Sequence, residues 1–411
     1  MSDVIDGPDP SLHPLHRLWR GLPQAARRRW LVQGSAMLAP HPDQPAPPAC
    51  AGIAVAGELD RASGLGEGAR LMLHGLEALG VPAWEMRRGG RLPPRGAPLV
   101  LHVNAPHVPL ALLRLGRAVL RGRRIVGYWA WELPVVPDSW RAGAAFVHEV
   151  WVPSRFTAAA LEPLLPGRVR VVPHPVAAHP PTPSALGRAA FGLPMGAVIT
   201  LTSFSLASSF ERKNPLGAIA AHRAAFGDRP DRVLLLRVGD PHHFPADFAK
   251  LRADASHPNI RIDTRTLPAA DHYALMAACD IVLSLHRSEG FGLVPAEAML
   301  LGVPVIATGW SGNVDFMDAS CAAMVPVRLI PAHDPRGVFM APGAVWAEPD
   351  VAAAAAHLVR LADDPAARRA LGRAGQAAAR ARLGPGPLAA AARGLGLAVR
   401  GPGLLAACPA Q

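Results

Sequence analysis

Short apolar runs alternate with segments of helical period from residue 51 onward. Runs at 51–56, 98–103, 124–129, 149–152 and 169–172 are separated by helical patterns, among them 68–79 and 111–120. Continuous apolar runs of strand length predict strands buried on both faces, hence a mainly parallel sheet covered by helices on each side. Five prolines between 174 and 194 mark a linker. A second series follows, with strands at 198–203, 232–238, 260–263, 281–285 and 303–307 and helices at 215–226, 270–278 and 295–301. After Asp350 the chain reads as Ala-rich helix to about Leu383.

The pattern is α/β: two doubly wound Rossmann-like domains, at 49–184 and 185–384. A Pro/Arg-rich extension at 1–48 precedes them and a tail at 385–411 follows. A chain of 411 residues can hold two such cores. Ligands of open α/β sheets bind at the carboxyl ends of the strands, so the expected site is the cleft between the domains.

Composition narrows the partners. A formal charge of +11 favours an anionic ligand or surface. Nucleic acid is disfavoured, because no basic stripe with interleaved aromatics and no zinc-finger or RNP pattern occurs. Cys50, Cys279, Cys321 and Cys408 are too scattered to form a metal site and read as reduced thiols. No apolar run is long enough to span a bilayer, and the N-terminus lacks a signal-peptide pattern, so the expectation is cytoplasmic residence. Residues 15–37 carry Arg17, Arg20, Arg27, Arg28 and Arg29 among Leu, Trp and Ala. They read either as a loosely packed extension or as a basic amphipathic helix lying on the inner face of an anionic membrane.

Arg so dominates the cations that only Lys213 and Lys250 are Lys, and only Asn104, Asn214, Asn259 and Asn313 are Asn. Lys213 and Asn214 are adjacent, in Phe210-Glu211-Arg212-Lys213-Asn214-Pro215. Asn214 is a suitable helix N-cap and Pro215 a suitable first helical residue. Arg212 and Lys213 then stand at the positive end of a helix dipole, a poor place for cations unless a diphosphate binds there. A solvated charge pair is the plainer alternative.

After the strand at 281–285 comes Ser288-Glu289-Gly290-Phe291-Gly292-Leu293-Val294-Pro295-Ala296-Glu297. Gly290 and Gly292 let backbone N–H groups approach an anion, and a helix starting at Pro295 would present more. Glu297 would sit in its first turn, serving either a ligand hydroxyl or only the helix dipole.

Weaker signals complete the set. Gly64-Leu65-Gly66-Glu67-Gly68, with Glu85 further on, is a Gly-rich turn that either cradles phosphate or only reverses the chain; its spacing departs from the dinucleotide fingerprint. His102 and Glu132 lie at strand ends of the first domain near Trp129 and Trp131, a grouping that suits either a sugar-binding face or core. Asn313 lines a donor pocket or makes a turn.

The Glu289-x7-Glu297 spacing, Phe-Glu-Arg-Lys-Asn-Pro at 210–215, Trp-Val-Pro-Ser-Arg-Phe at 151–156 and Gly-Val-Pro-Val-Ile-Ala-Thr at 302–308 resemble the family 4 retaining glycosyltransferases, which have the GT-B fold. The likeness covers most of residues 50 to 385. It implies that 49–184 is an acceptor domain and 185–384 a nucleotide-sugar donor domain, with the last helix crossing back to the first. It implies that Arg212 and Lys213 bind the donor diphosphate, that Glu289 contacts the donor sugar and Glu297 the ribose, and that Phe291, Gly292 and Leu293 offer backbone N–H groups. Gly66 is assigned to the donor side as well. Many family members carry a His after the first-domain strand that here ends Tyr128-Trp129-Ala130-Trp131-Glu132; Glu132, or His102 one strand earlier, is the candidate for its place.

The expected reaction is transfer of a sugar, with retained configuration, from a nucleoside-diphosphate sugar to a saccharide or lipid-linked saccharide in cell-surface polysaccharide or lipopolysaccharide synthesis. No Asp-x-Asp pair occurs, and the two cations supply charge to the leaving group, so neither metal nor cofactor is expected. Competing readings are a non-catalytic saccharide-binding GT-B protein, a nucleotide-sugar epimerase and, least favoured, a dinucleotide oxidoreductase.

Overall fold

A computed structural model describes residues 24–61, 63–86 and 92–399. The first part of the basic helix expected at 15–37, and the end of the tail with Cys408, lie outside these residues. Two six-stranded sheets, all parallel, form the body. The first contains β1 (Ile53–Gly57), β2 (Ala83–Glu85), β3 (Leu99–His102), β4 (Ile125–Tyr128), β5 (Glu149–Val152) and β6 (Val169–Val171), in the order β2-β1-β3-β4-β5-β6. The second contains β7 (Val198–Ser205), β8 (Arg232–Gly239), β9 (Ile260–Asp263), β10 (Ile281–Ser284), β11 (Val305–Thr308) and β12 (Ala323–Val325), in the order β12-β11-β10-β7-β8-β9. A two-stranded antiparallel ribbon, β13 (Val327–Pro331) and β14 (Val345–Pro349), is added.

The apolar runs become strands because both sheet faces are covered: Ile53, Val55, Leu99, Ile125, Ile199, Leu201, Ile281 and Val282 are all buried. The short strands β2 and β12 and the β13–β14 ribbon escape the hydrophobic pattern, being brief or half-exposed. The expected helix at 111–120 is two helices, Val108–Leu115 and Arg117–Leu120, broken where Gly116 adopts φ 83°. No helix among the described residues is long and apolar enough to cross a membrane.

Two departures bear on the site. The helix after β1 spans Gly64–Ala78, so Gly64, Leu65 and Gly66 are its first turn and not a loop. Ser63 caps it by accepting from the Gly66 N–H at 3.1 Å, and a Cβ on Gly66 would meet the Glu58 carbonyl oxygen at 2.4 Å. That glycine is explained by close packing, and its N–H is already taken. The Pro-rich linker is also clamped: His174 and Val176 are buried, and Ala177 N–H donates to the Leu383 carbonyl at 3.0 Å. Beyond Leu383, the helix Gly386–Gly394 sets Leu388, Ala389, Ala391 and Ala392 against Ile53, Val55, Ala69 and Met72 of the first sheet and its helix. Burying Leu388 fully contributes about 2 kcal/mol to holding the two halves together.

In the second sheet, β7 is followed by β8 on one side and lies against β10 on the other. The crevice at the carboxyl ends of β7 and β10 is therefore the topological switch point, where such sheets bind ligands.

Candidate active site at the switch point of the second sheet

The segment after β7 delivers two cations. Ser209, at φ 74°, caps the short helix Phe210–Lys213 by accepting from the Arg212 N–H at 3.3 Å. Asn214, at φ 50°, ends that helix and caps the next, Pro215–Phe226, by accepting from the Gly217 N–H at 3.2 Å. Its amide also donates to the Leu285 carbonyl at 2.9 Å, tying this turn to the end of β10. The intervening helix corrects the sequence picture: Arg212 and Lys213 occupy its last turn, where the dipole favours cations.

The segment after β10 delivers the carboxylate. Arg287 N–H donates to the Arg212 carbonyl at 2.7 Å, which brings the two loops together. Glu289 then lies between the cations. Its Oε2 accepts from Arg212 Nη1 at 3.1 Å and its Oε1 accepts from the Lys213 ammonium. Arg212 also donates to the carbonyls of Ser208 and Ser288, at 2.8 Å each, and Phe339 lies under its guanidinium, 5.0 Å from ring centroid to Cζ. Burial alone would raise the Glu289 carboxyl, but Lys213 and Arg212 outweigh it and hold the group at about 2. Burial lowers Lys213, with the Glu289 charge opposing; for Arg212 the nearby carboxylates prevail over burial and raise it.

The helix beyond runs Leu293–Leu300, with Gly292 at φ 104° as its N-cap. It starts two residues before the expected position, so Pro295 is its third residue and Glu297 falls in the second turn, not the first. The N–H groups of Gly292, Leu293 and Val294 donate to no protein acceptor among the described residues. The crevice thus combines two cations, one carboxylate and a helix start with free donors.

The first sheet closes the other side. The Ser288 hydroxyl donates to the Glu132 carbonyl, and the Glu132 carboxylate stands 3.9 Å from Arg212 Nη2. Burial raises the Glu132 carboxyl, Arg212 opposing and Glu289 reinforcing. Asp315 accepts from the Arg155 N–H at 2.7 Å and from Arg155 Nε at 3.1 Å, and Phe156 meets Trp310 edge to face at 4.9 Å.

The profile described as "Family 4 Glycosyltransferase in conflict systems" matches residues 174–383, just over half of the chain and the whole of the second sheet with its crevice. The chain belongs to this family. It is 34% identical over 122 residues to a D-inositol 3-phosphate glycosyltransferase of Jonesia denitrificans, a match spanning 29% of this chain and 28% of that one. It is 32% identical over 173 residues to a GDP-mannose-dependent monoacylated alpha-(1-6)-phosphatidylinositol monomannoside mannosyltransferase of Corynebacterium glutamicum, across 40% and 39% of the two chains. Both matches therefore span less than half of the relatives' length. The fold is that of Anabaena HepE, solved with UDP and glucose: TM-score 0.57 at 15% identity, over 84% of this chain and 99% of that one.

Other expected residues of this family 4 glycosyltransferase lie elsewhere or are committed to structure. His102 is fully buried, stacked on Tyr128 at 4.3 Å and 3.4 Å from the Met72 sulfur. Burial, with His174 adding, holds it well below the usual histidine range, and it reaches no acceptor surface. Trp129, Trp131, Trp140 and Trp151 are core and form no sugar-binding face. Asn313 Oδ1 accepts from His286 Nε2 at 3.0 Å and its amide nitrogen donates to the Thr308 carbonyl at 2.9 Å, so it shapes the loop instead of facing the crevice. Phe291 packs its ring into the core against His174 and Phe316. Gly290 lies against the Trp131 main chain, and a Cβ on Gly312 would meet the Gly290 carbonyl oxygen at 2.3 Å. Glu85 is on edge strand β2, opposite Val55 of β1.

Glu297 is buried beside Tyr273, whose hydroxyl lies 3.5 Å from Oε1. Burial, then the charge of Glu67 from the helix Gly64–Ala78, pushes its carboxyl up to about 8. Sequence reasoning gave no role to Glu67, Tyr273, Ser288, Ser311 or Asp334. Ser311 accepts from the Glu289 N–H at 2.9 Å, and Asp334 accepts from the N–H groups of Val338 and Phe339, placing Phe339 under Arg212. Glu67 and Tyr273 sit on helices and Ser288, Ser311 and Asp334 in loops; only the fold brings them together.

Proposed function

We propose that the chain transfers a sugar from a nucleoside-diphosphate sugar to a hydroxyl of a saccharide or lipid-linked saccharide, with retained configuration. The observation that carries this reading is the convergence of Arg212 and Lys213 on one carboxylate, beside a helix start with free N–H groups. The Glu289 carboxylate holds the place on the two cations that an anion would take. A diphosphate entering the crevice takes its place on the two cations and the N–H groups, and releases Glu289 to accept from hydroxyls of the donor sugar.

The glycosyl–phosphate bond then breaks through an oxocarbenium-like transition state. The fixed cations stabilise the departing diphosphate, which is where preorganised charge lowers the barrier most. The donor phosphate takes the proton of the attacking acceptor hydroxyl, so no strong protein base and no metal is needed. Glu297 holds the ribose, and Glu132 is the acceptor-side group, because it is the first-sheet carboxylate beside Arg212. Cell-surface polysaccharide or lipopolysaccharide synthesis at the inner face of a membrane fits a chain of charge +11.

A thermal-shift panel of UDP-, GDP- and ADP-sugars, followed by assay of nucleoside diphosphate release with and without acceptor, tests this. Binding with acceptor-dependent release supports transfer. Binding without release indicates a saccharide-binding protein, and an altered nucleotide sugar without acceptor indicates an epimerase.

A further inference from the structure

Charge is distributed unevenly along the first domain. Residues 10–42 hold five Arg and no acid, and residues 86–131 hold nine Arg and no acid, in a chain with 31 Asp and Glu. The fold brings parts of these stretches together, because the helix Gln24–Leu38 packs on the helix Val108–Leu115. Its inner side is anchored: Ser35 and Ala39 are buried, Ala39 in the first-domain core. Its outer side is apolar. Trp30 is 65% exposed, Leu31 46%, Met37 86% and Leu38 73%. Residues 30 and 37, and 31 and 38, are seven apart, so the four form one stripe along the helix. Leu113 on the neighbouring helix is exposed as well.

Arg114, on the helix that packs against it, and Arg117 and Arg121, on and just after the short helix that follows, are exposed. Arg123, beneath, donates to the carbonyls of Pro93, Pro94, Ala97 and Val119 and to no carboxylate, so its charge adds to the field. The bordering acids are engaged: Asp43 accepts from the Gly122 N–H at 2.7 Å and Asp138 from Arg141 at 3.2 Å.

We propose that this face docks on an anionic lipid bilayer, with Trp30, Leu31, Met37 and Leu113 entering the interface and Arg114, Arg117 and Arg121 meeting the headgroups. Charge complementarity selects an anionic surface, and the Leu and Met side chains select hydrocarbon over the stacked bases of a nucleic acid. The inference rests on the proposed function only in that a lipid-linked acceptor would be presented at such a surface.

The test is co-sedimentation of the full chain with vesicles of phosphatidylcholine, alone and mixed with phosphatidylglycerol. Binding to the mixed vesicles only, weakening with salt, is expected. The triple variant Arg114→Glu, Arg117→Glu, Arg121→Glu should weaken partitioning by at least about fivefold per residue. Trp30→Ser with Leu31→Ser should weaken it further, while nucleoside diphosphate affinity stays unchanged. If the serine pair lowers the melting temperature, the exposed Arg variant carries the test. Equal sedimentation with neutral and anionic vesicles, or unaltered binding by the Arg variant, overturns the proposal. So does a concentration-dependent dimer lost on Trp30→Ser, which assigns the face to a second copy, or a preference for duplex DNA over the mixed vesicles. Vesicle binding and nucleotide binding are read separately, so failure of one leaves the other standing.

Discussion

The carboxylate of Glu132, at the end of the first sheet, lies 3.9 Å from the guanidinium of Arg212, at the end of the second. Two halves built on separate sheets thus share one charged crevice. Glu132 and Glu289 stand against Arg212 and Lys213, so the four charges cancel before any ligand arrives. An incoming diphosphate must upset that balance, and several expected outcomes follow from how.

Glu289→Gln removes the carboxylate that the two cations now hold. Free nucleoside diphosphate should bind about tenfold tighter, because the cations no longer have an internal anion to release. Sugar transfer should fall by at least about a hundredfold, since the sugar loses its contact. Calorimetry with UDP, GDP and ADP and a transfer assay read the two effects; tighter transfer-competent binding with unchanged turnover would contradict the exchange of partners.

Lys213→Ala should lower turnover by about 100- to 1000-fold, the usual loss when one fixed charge aimed at a developing anion is removed. Lys213→Arg should recover part of it, as a fork in place of a point charge. Near-normal turnover of Lys213→Ala with any nucleotide sugar would sink the proposed role of the pair.

Glu132→Ala separates donor from acceptor. If Glu132 holds the acceptor, the variant should keep nucleotide affinity and slow donor hydrolysis, while the KM for acceptor rises about tenfold or more. A rise in donor KM with acceptor KM unchanged would move Glu132 to the donor side.

Glu297 makes stability depend on pH. Burial and Glu67 push its carboxyl up to about 8, well above the ordinary carboxylate range. The native state therefore keeps a proton that the unfolded chain has released, and stability falls as pH rises from about 4.5 to about 8. Glu297→Gln should raise the melting temperature by a few degrees at pH 8 and leave it unchanged at pH 5. Equal shifts at both values would show that the carboxyl is not held protonated.

Asp315→Ala cuts the Arg155 link between the two halves. X-ray scattering should show a larger radius of gyration, reversed when a nucleotide is added. An unchanged radius would mean that the Trp310–Phe156 contact and the Ser288–Glu132 bond hold the halves without it.

The hydrophobic pattern by itself determined the two parallel sheets, because strands buried on both faces leave continuous apolar runs such as those at 198–203 and 281–285. It also made Arg212, Lys213 and Glu289 stand out, through rare Lys, a capping Asn and glycines at a helix start. Helix starts were read less well. Gly64–Gly66 and Gly292–Val294 look like loop by composition, yet Ser63 and the left-handed Gly292 begin helices there. What only the tertiary structure decided is which groups meet. His102 and Glu132 are equivalent by sequence, both polar residues at strand ends, but the Tyr128 and Met72 packing encloses one and the Ser288 contact sets the other beside Arg212. A local pattern carries burial and dihedral preference, whereas the distance between Glu132 and Arg212 depends on how two separately folded sheets are docked.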